Sequence, residues 1–189
     1  RSARGPAGDP ARDPARMRIR FWGTRGSIPT PGPSTVRYGG HTACVEVRDV
    51  TDRLLVLDAG TGLRELGIAL ERRGGGPWDA DLLLSHLHWD HIQGIPFFRP
   101  AFSNGTRVRI RGPLQDRPIR DILSVGMDDP FFPVDLDGLA AAFDFADIGD
   151  GDLVVGPYRI RSARLEHPSP TLGYRIEADG GVLVYATDT

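Results

Sequence analysis

The chain has 189 residues, 40% of them hydrophobic and 25% charged, which suits one globular domain with a buried core. A formal net charge of -2 offers no basic field for nucleic acid, and all 23 basic residues are Arg, which excludes lysine Schiff-base chemistry. The single cysteine, Cys44, excludes an internal disulfide and a thiolate-rich metal cage. No run approaches the ~18 apolar residues of a membrane span, and no charged-then-apolar signal pattern opens the chain, so a cytoplasmic location is the default expectation.

Residues 1–16 hold Pro, Gly, Ala and charged side chains with no large apolar group. They cannot offset the entropy of ordering and are expected to form a disordered tail, with the folded domain over 17–189. Met17-Arg18-Ile19-Arg20-Phe21-Trp22 alternates like a strand. Segments 45–47 and 54–57 read as paired strands with a turn near 49–52, and Cys44 beside the first reads as a buried inert thiol. Segment 63–70 has helical spacing and stops at Gly74-Gly75-Gly76. Asp81-Leu82-Leu83-Leu84-Ser85 reads as a buried strand. Segment 107–111 alternates Arg with Val and Ile, as a half-exposed strand does. A helix is expected over 119–127, and strands near 158–165, 171–177 and 182–186. There is no repeat of useful period and no second-domain linker.

The run His86-Leu87-His88-Trp89-Asp90-His91 directly follows the buried strand expected at 81–85. Three of the chain's five histidines fall within six residues. A strand end is a good platform for ligands, because the scaffold fixes the backbone while the side chains converge. His86 and His88 are two apart and can point the same way from an extended segment, while Asp90 and His91 turn away toward a second ion. Imidazole and carboxylate suit zinc, with manganese or iron also compatible. Gly94 and Pro96 allow a sharp turn nearby.

This run resembles the His-x-His-x-Asp-His motif of the metallo-β-lactamase superfamily, and the resemblance extends over nearly all of 17–189. The segment from Phe21 to Pro29, Leu57-Asp58-Ala59-Gly60-Thr61-Gly62, Phe131-Phe132-Pro133-Val134 and Leu172-Gly173-Tyr174-Arg175-Ile176 resemble a branch related to tRNase Z and phosphoribosyl cyclic phosphate phosphodiesterase. The resemblance implies an α/β fold, an αββα sandwich with two divalent metals at one edge between the sheets. It implies that His167 joins His86 and His88 on the first metal, that Asp90 and His91 hold the second, and that Asp188 bridges them. Asp58 would support the ligands by hydrogen bonds. By residue type alone, His167 beside Pro168 reads as a surface or structural histidine, and Asp188 carries still less signal.

The family pattern has one more histidine downstream of the bridging aspartate, and the sequence stops at Thr189. Six of seven ligands are present, so the chain reads as C-terminally truncated, and this form is expected to be inactive. His41 stands where the family pattern has Asn and is a candidate to support the ligands, or is merely a loop residue. Ser169-Pro170 replaces a glycine pair.

The resemblance implies hydrolysis through a dinuclear metal-bridged hydroxide, with Asp90 orienting or accepting the proton of the nucleophile. Aspartate at the bridging position argues against a true β-lactamase and fits phosphodiesterases and glyoxalase II-type thioesterases. Arg25 is a candidate phosphate contact, as its guanidinium can fork onto phosphate oxygens. Trp89 either packs beside the metals or stacks on a base, a structural role being the default. Residues 168–187 leave no room for the tRNA-gripping arm of tRNase Z relatives. The expected substrate is therefore a small, cyclic phosphodiester, with no membrane or nucleic-acid partner and a homodimer left open. A non-hydrolytic di-iron sensor of the same fold is the alternative from a different class.

Overall fold

The computed structural model describes residues 16–189. The tail expected over 1–16 therefore lies, apart from Arg16, outside the described residues. A first sheet has the order β1 (Arg18–Gly23), β2 (Cys44–Arg48), β3 (Leu54–Leu57), β4 (Asp79–Leu83), β5 (Arg107–Pro113) and β6 (Ala142–Ile148). The pairs β1–β2 and β2–β3 are antiparallel, and β3 to β6 run parallel. The crossovers between the parallel strands carry α1 (Gly62–Arg73), the single turn α2 (Trp89–Ile92) and α3 (Ile119–Val125). A second, antiparallel sheet has β7 (Gly151–Val155), β8 (Tyr158–Leu165), β9 (Thr171–Ala178) and β10 (Gly181–Tyr185), in the order β10-β9-β8-β7.

The continuous apolar runs of β3 and β4 follow from burial on both faces. Successive side chains of a strand point to opposite sides. Leu54 and Val56 face a core shared with Leu63, Leu66 and Leu70 of α1 and with Ile119 and Leu123 of α3. Leu55 and Leu57 face a second core shared with Tyr158, Ile160, Tyr174 and Ile176 of the other sheet. The result is a helix layer, a mixed sheet and an antiparallel sheet. The outer face of the second sheet presents Val154, Val182 and Val184 to solvent, so among the described residues the fourth layer of the expected sandwich is absent. No helix among the described residues is long and apolar enough to cross a membrane.

Helix α1 runs to Arg73 and stops where Gly74 takes φ 72, which supplies the expected glycine stop. Helix α3 is shorter than expected, ending at Val125, with Met127 packed into the core just beyond it. Strands β6 and β7 were not anticipated. In β6, Phe143 and Phe145 alternate with Asp144 and Ala146, and the two rings pack against the helix-side core. Cys44 is fully buried, and burial, with the charges of Asp58 and Glu46, pushes its thiol well above its ordinary range, as expected of an inert thiol.

Parallel pairing puts the C-terminal ends of β3 and β4 side by side, Leu57 opposite Leu83. The segments that follow, Asp58 onward and Ser85 onward, therefore emerge together at one edge. Leu82 fills the helix-side core beneath that edge at 1% exposure. Leu82→Ala is expected to lower unfolding free energy by about 2–5 kcal/mol, read as a lower denaturant midpoint at constant m-value.

Candidate metal centre

The two strand-end segments touch backbone to backbone. Ala59 N–H donates to His91 O at 2.7 Å and Gly94 N–H to Ala59 O at 2.8 Å. This contact needs glycine on both sides. A Cβ at Gly60 would lie 2.2 Å from Asp90 O, and one at Gly94 would lie 2.0 Å from Gly60 O.

His86 and His91 are buried in this loop pair, while His88 faces solvent. His86 Nε2 lies 3.0 Å from His88 Nδ1, and His167 Nε2 lies 3.2 Å from the same His88 nitrogen. His167 arrives on the connection between β8 and β9. A second group of donors is formed by His86, His91 and Asp188, the last just beyond β10. Each trio has its ligand atoms within 4.8 Å of one another, and His86 belongs to both. Asp188 thus falls in the second group and not in the first. Asp90 Oδ2 lies 3.5 Å from His91 Nε2, as does Asp188 Oδ1.

The donor chemistry fits cations. Three imidazole nitrogens converging at about hydrogen-bond distance cannot all carry protons. Burial first, with repulsion from His91 and His88 and against the pull of Asp58, pushes His86 down to about 4, so its ring is neutral near pH 7. A neutral imidazole is the form that binds a metal.

Asp58 has no exposed surface and takes φ 57. Its carboxylate accepts from Ser85 N–H at 2.6 Å, Ser85 Oγ at 2.8 Å, His91 Nδ1 at 2.7 Å and the Tyr185 hydroxyl at 2.7 Å. Holding His91 by Nδ1 leaves Nε2 turned toward Asp90 and Asp188. Burial opposes a charged His91. The hydrogen bond and charge of Asp58, helped by Asp90 and Asp188, outweigh it and raise the His91 value. Ser85 Oγ also lies 3.0 Å from His86 Nδ1, leaving His86 Nε2 for a ligand role. Burial and the neighbouring Asp58 push Tyr185 well above its ordinary range, so it remains the donor.

Asp90 is held separately. Ser27 N–H donates to Asp90 Oδ2 at 2.7 Å from a left-handed backbone, φ 68. Neither Ser27 nor Tyr185 stood out in the sequence. Each acts across a long separation, and the donor in Ser27 is a main-chain group that carries no residue-type signal. Arg25, on the same loop as Ser27, is exposed and lines a pocket of about 440 Å³ together with His91, Tyr185 and Asp188. His41 instead lies 3.3 Å from Thr61 Oγ1 and faces a bowl lined by Pro29, Pro31, Arg64 and Phe97. Trp89 is 66% exposed, with its six-membered ring against Gly126.

Two predictions follow from the shared histidine and the buried carboxylate. His86→Ala and His88→Ala are each expected to lose the zinc ion of the first group; unchanged zinc stoichiometry by elemental analysis in either variant overturns the grouping. Tyr185→Phe removes one of four donors to a buried charge and is expected to cost about 1.5–3 kcal/mol of stability, measured by denaturant unfolding.

Residues 53–189 match a family described as the Beta-lactamase superfamily domain. A ribonuclease Z from Natronomonas pharaonis is 30% identical over 166 residues, covering 85% of this chain and 47% of that protein. The chain spans about half the length of the curated relatives it matches, 47–50% for the ribonuclease Z proteins. Among solved structures, the metallo-beta-lactamase fold protein YhfI from Bacillus subtilis superposes with a TM-score of 0.62 at 19% identity, covering 89% of this chain and 60% of that one. Human tRNase Z, short form, superposes with a TM-score of 0.61 at 17% identity, covering 88% and 67%.

Proposed function

As the chain belongs to the beta-lactamase superfamily, we propose that it is a metal-dependent hydrolase whose substrate is a small phosphodiester, a cyclic one being the leading candidate. The observation that carries this reading is the pair of donor groups sharing His86, set against a pocket that also holds an exposed arginine. His86, His88 and His167 would hold one ion. Asp188, with His91 and Asp90, would serve the other. Zinc suits these nitrogen and oxygen donors best. A pair of divalent ions supplies Lewis acidity and a lowered pKa for water.

The chain's own residues do the rest. Asp58 and Ser85 fix the ring orientations of His91 and His86. Ser27 N–H holds one oxygen of Asp90, leaving the other free to orient an attacking water or accept its proton. Arg25, lining the pocket beside His91 and Asp188, can fork onto phosphoryl oxygens. His41 would act only at a distance, through Thr61.

The ribonuclease Z names of several relatives favour a second reading, an RNA substrate. Against it, residues 168–187 are taken up by the hairpin of β9 and β10, which leaves no arm in that interval to grip an RNA. The net charge of -2 also argues against strong phosphate-backbone binding. Extended to the length of its relatives and loaded with zinc, the protein is expected to hydrolyse bis(p-nitrophenyl) phosphate and cyclic nucleotides, with kcat/KM at least about tenfold above that for 3′ processing of a precursor tRNA. Efficient precursor processing at low enzyme concentration reverses the order of the two readings. Arg25→Ala is expected to raise KM about tenfold or more with little change in zinc content.

A further inference from the structure

We propose that Trp89 is the specificity-determining residue of this site, stacking its indole on a flat aromatic ring, aryl or nucleobase, attached to the substrate phosphate. The inference rests on the phosphodiesterase reading above.

Position comes first. Trp89 lies in sequence between His88 and Asp90 and is the first residue of α2. Its Cα is therefore about 3.8 Å from the Cα of each neighbour, and its distance from the donor groups is set by the backbone that sets theirs. The first donor group reaches solvent at His88. His88 is exposed, and its Nε2 lies 3.3 Å from Ser169 Oγ at the mouth. Backbone adjacency to His88 is what would bring a phosphoester held at that group within reach of the indole.

Exposure separates Trp89 from the other two tryptophans. Trp22 and Trp78 are partly buried against the helix-side core, and Trp22 donates its N–H to Glu46. Trp89 is 66% exposed, a large apolar surface left in water beside charged ligands. It is nonetheless not loose. Its six-membered ring lies over Gly126, where a Cβ would sit 3.6 Å from Cη2. The groove beneath is lined by Ile95, Leu123 and Met127, all buried. One edge of the indole is thus seated while a large part of its surface stays open, the arrangement of a preorganised stacking platform.

The chemistry divides accordingly. His86, His88, His167 and Asp188 would hold the ions that, with Arg25, bind the charged phosphoryl group every phosphodiester shares. The indole recognises what differs between substrates, and a neutral π-face favours a planar ring over an alkyl group.

The test uses phenylphosphonate and methylphosphonate, which share the metal-binding head and differ only in the ring. Affinities for the zinc-loaded protein are measured by calorimetry, with indole emission followed in parallel. Phenylphosphonate is expected to bind about tenfold tighter than methylphosphonate and to quench emission. Trp89→Ala should abolish the preference and leave methylphosphonate affinity and zinc content unchanged. Trp89→Phe should keep most of the preference and lose the quenching. Equal affinity of the two phosphonates for the unaltered protein overturns the proposal, as does a preference that survives Trp89→Ala. If methylphosphonate itself fails to bind, the phosphodiesterase reading falls and this one with it, so the two failures are told apart.

Discussion

A single carboxylate organises the site. Asp58 sits at zero exposure, and an unpaired charge there would cost several kcal/mol. Its four donors come from three separate places in the chain: Ser85 after β4, His91 in α2 and Tyr185 at the end of β10. Satisfying one buried charge therefore fixes the relative position of the loops that carry every candidate ligand except His167. The cost of burying the charge and the precision of the ligands are two aspects of one network, and a change at any donor is felt at both.

The helix-side and inter-sheet cores play a complementary part. They are built from aliphatic residues of β3 and β4 pointing alternately to the two sides, so the central strands cannot shift register without exposing an entire face. The loops at their ends inherit that rigidity. Gly60 and Gly94 then let those loops meet at backbone contact, which brings the imidazoles they carry together.

Much of this was legible in the sequence where the signal is local. The run from His86 to His91 declares itself by spacing, and the buried strand before it by its length and apolar character. His167 and Asp188 carry no local signal and were placed by resemblance; the fold brings His167 to His88 across 79 positions. Strand β6 was missed because its alternation is carried by two phenylalanines among aspartates and alanines, a weak period-two signal. Tyr185 was missed for a different reason. Its partner is 127 residues away, and nothing about a tyrosine at a strand end names a buried carboxylate. For Trp89 the residue type left packing and base stacking both open, and its exposure is set by the fold.

The span of these contacts also orders events in time. During synthesis the segment carrying Asp58, His86, His88 and His91 leaves the ribosome well before His167, Tyr185 and Asp188. Until the last hairpin docks, Asp58 lacks one of its donors and both donor groups are short of a member. Metal capture at the proposed centre would thus be coupled to completion of the antiparallel sheet, because an ion present early would meet only a partial set of ligands.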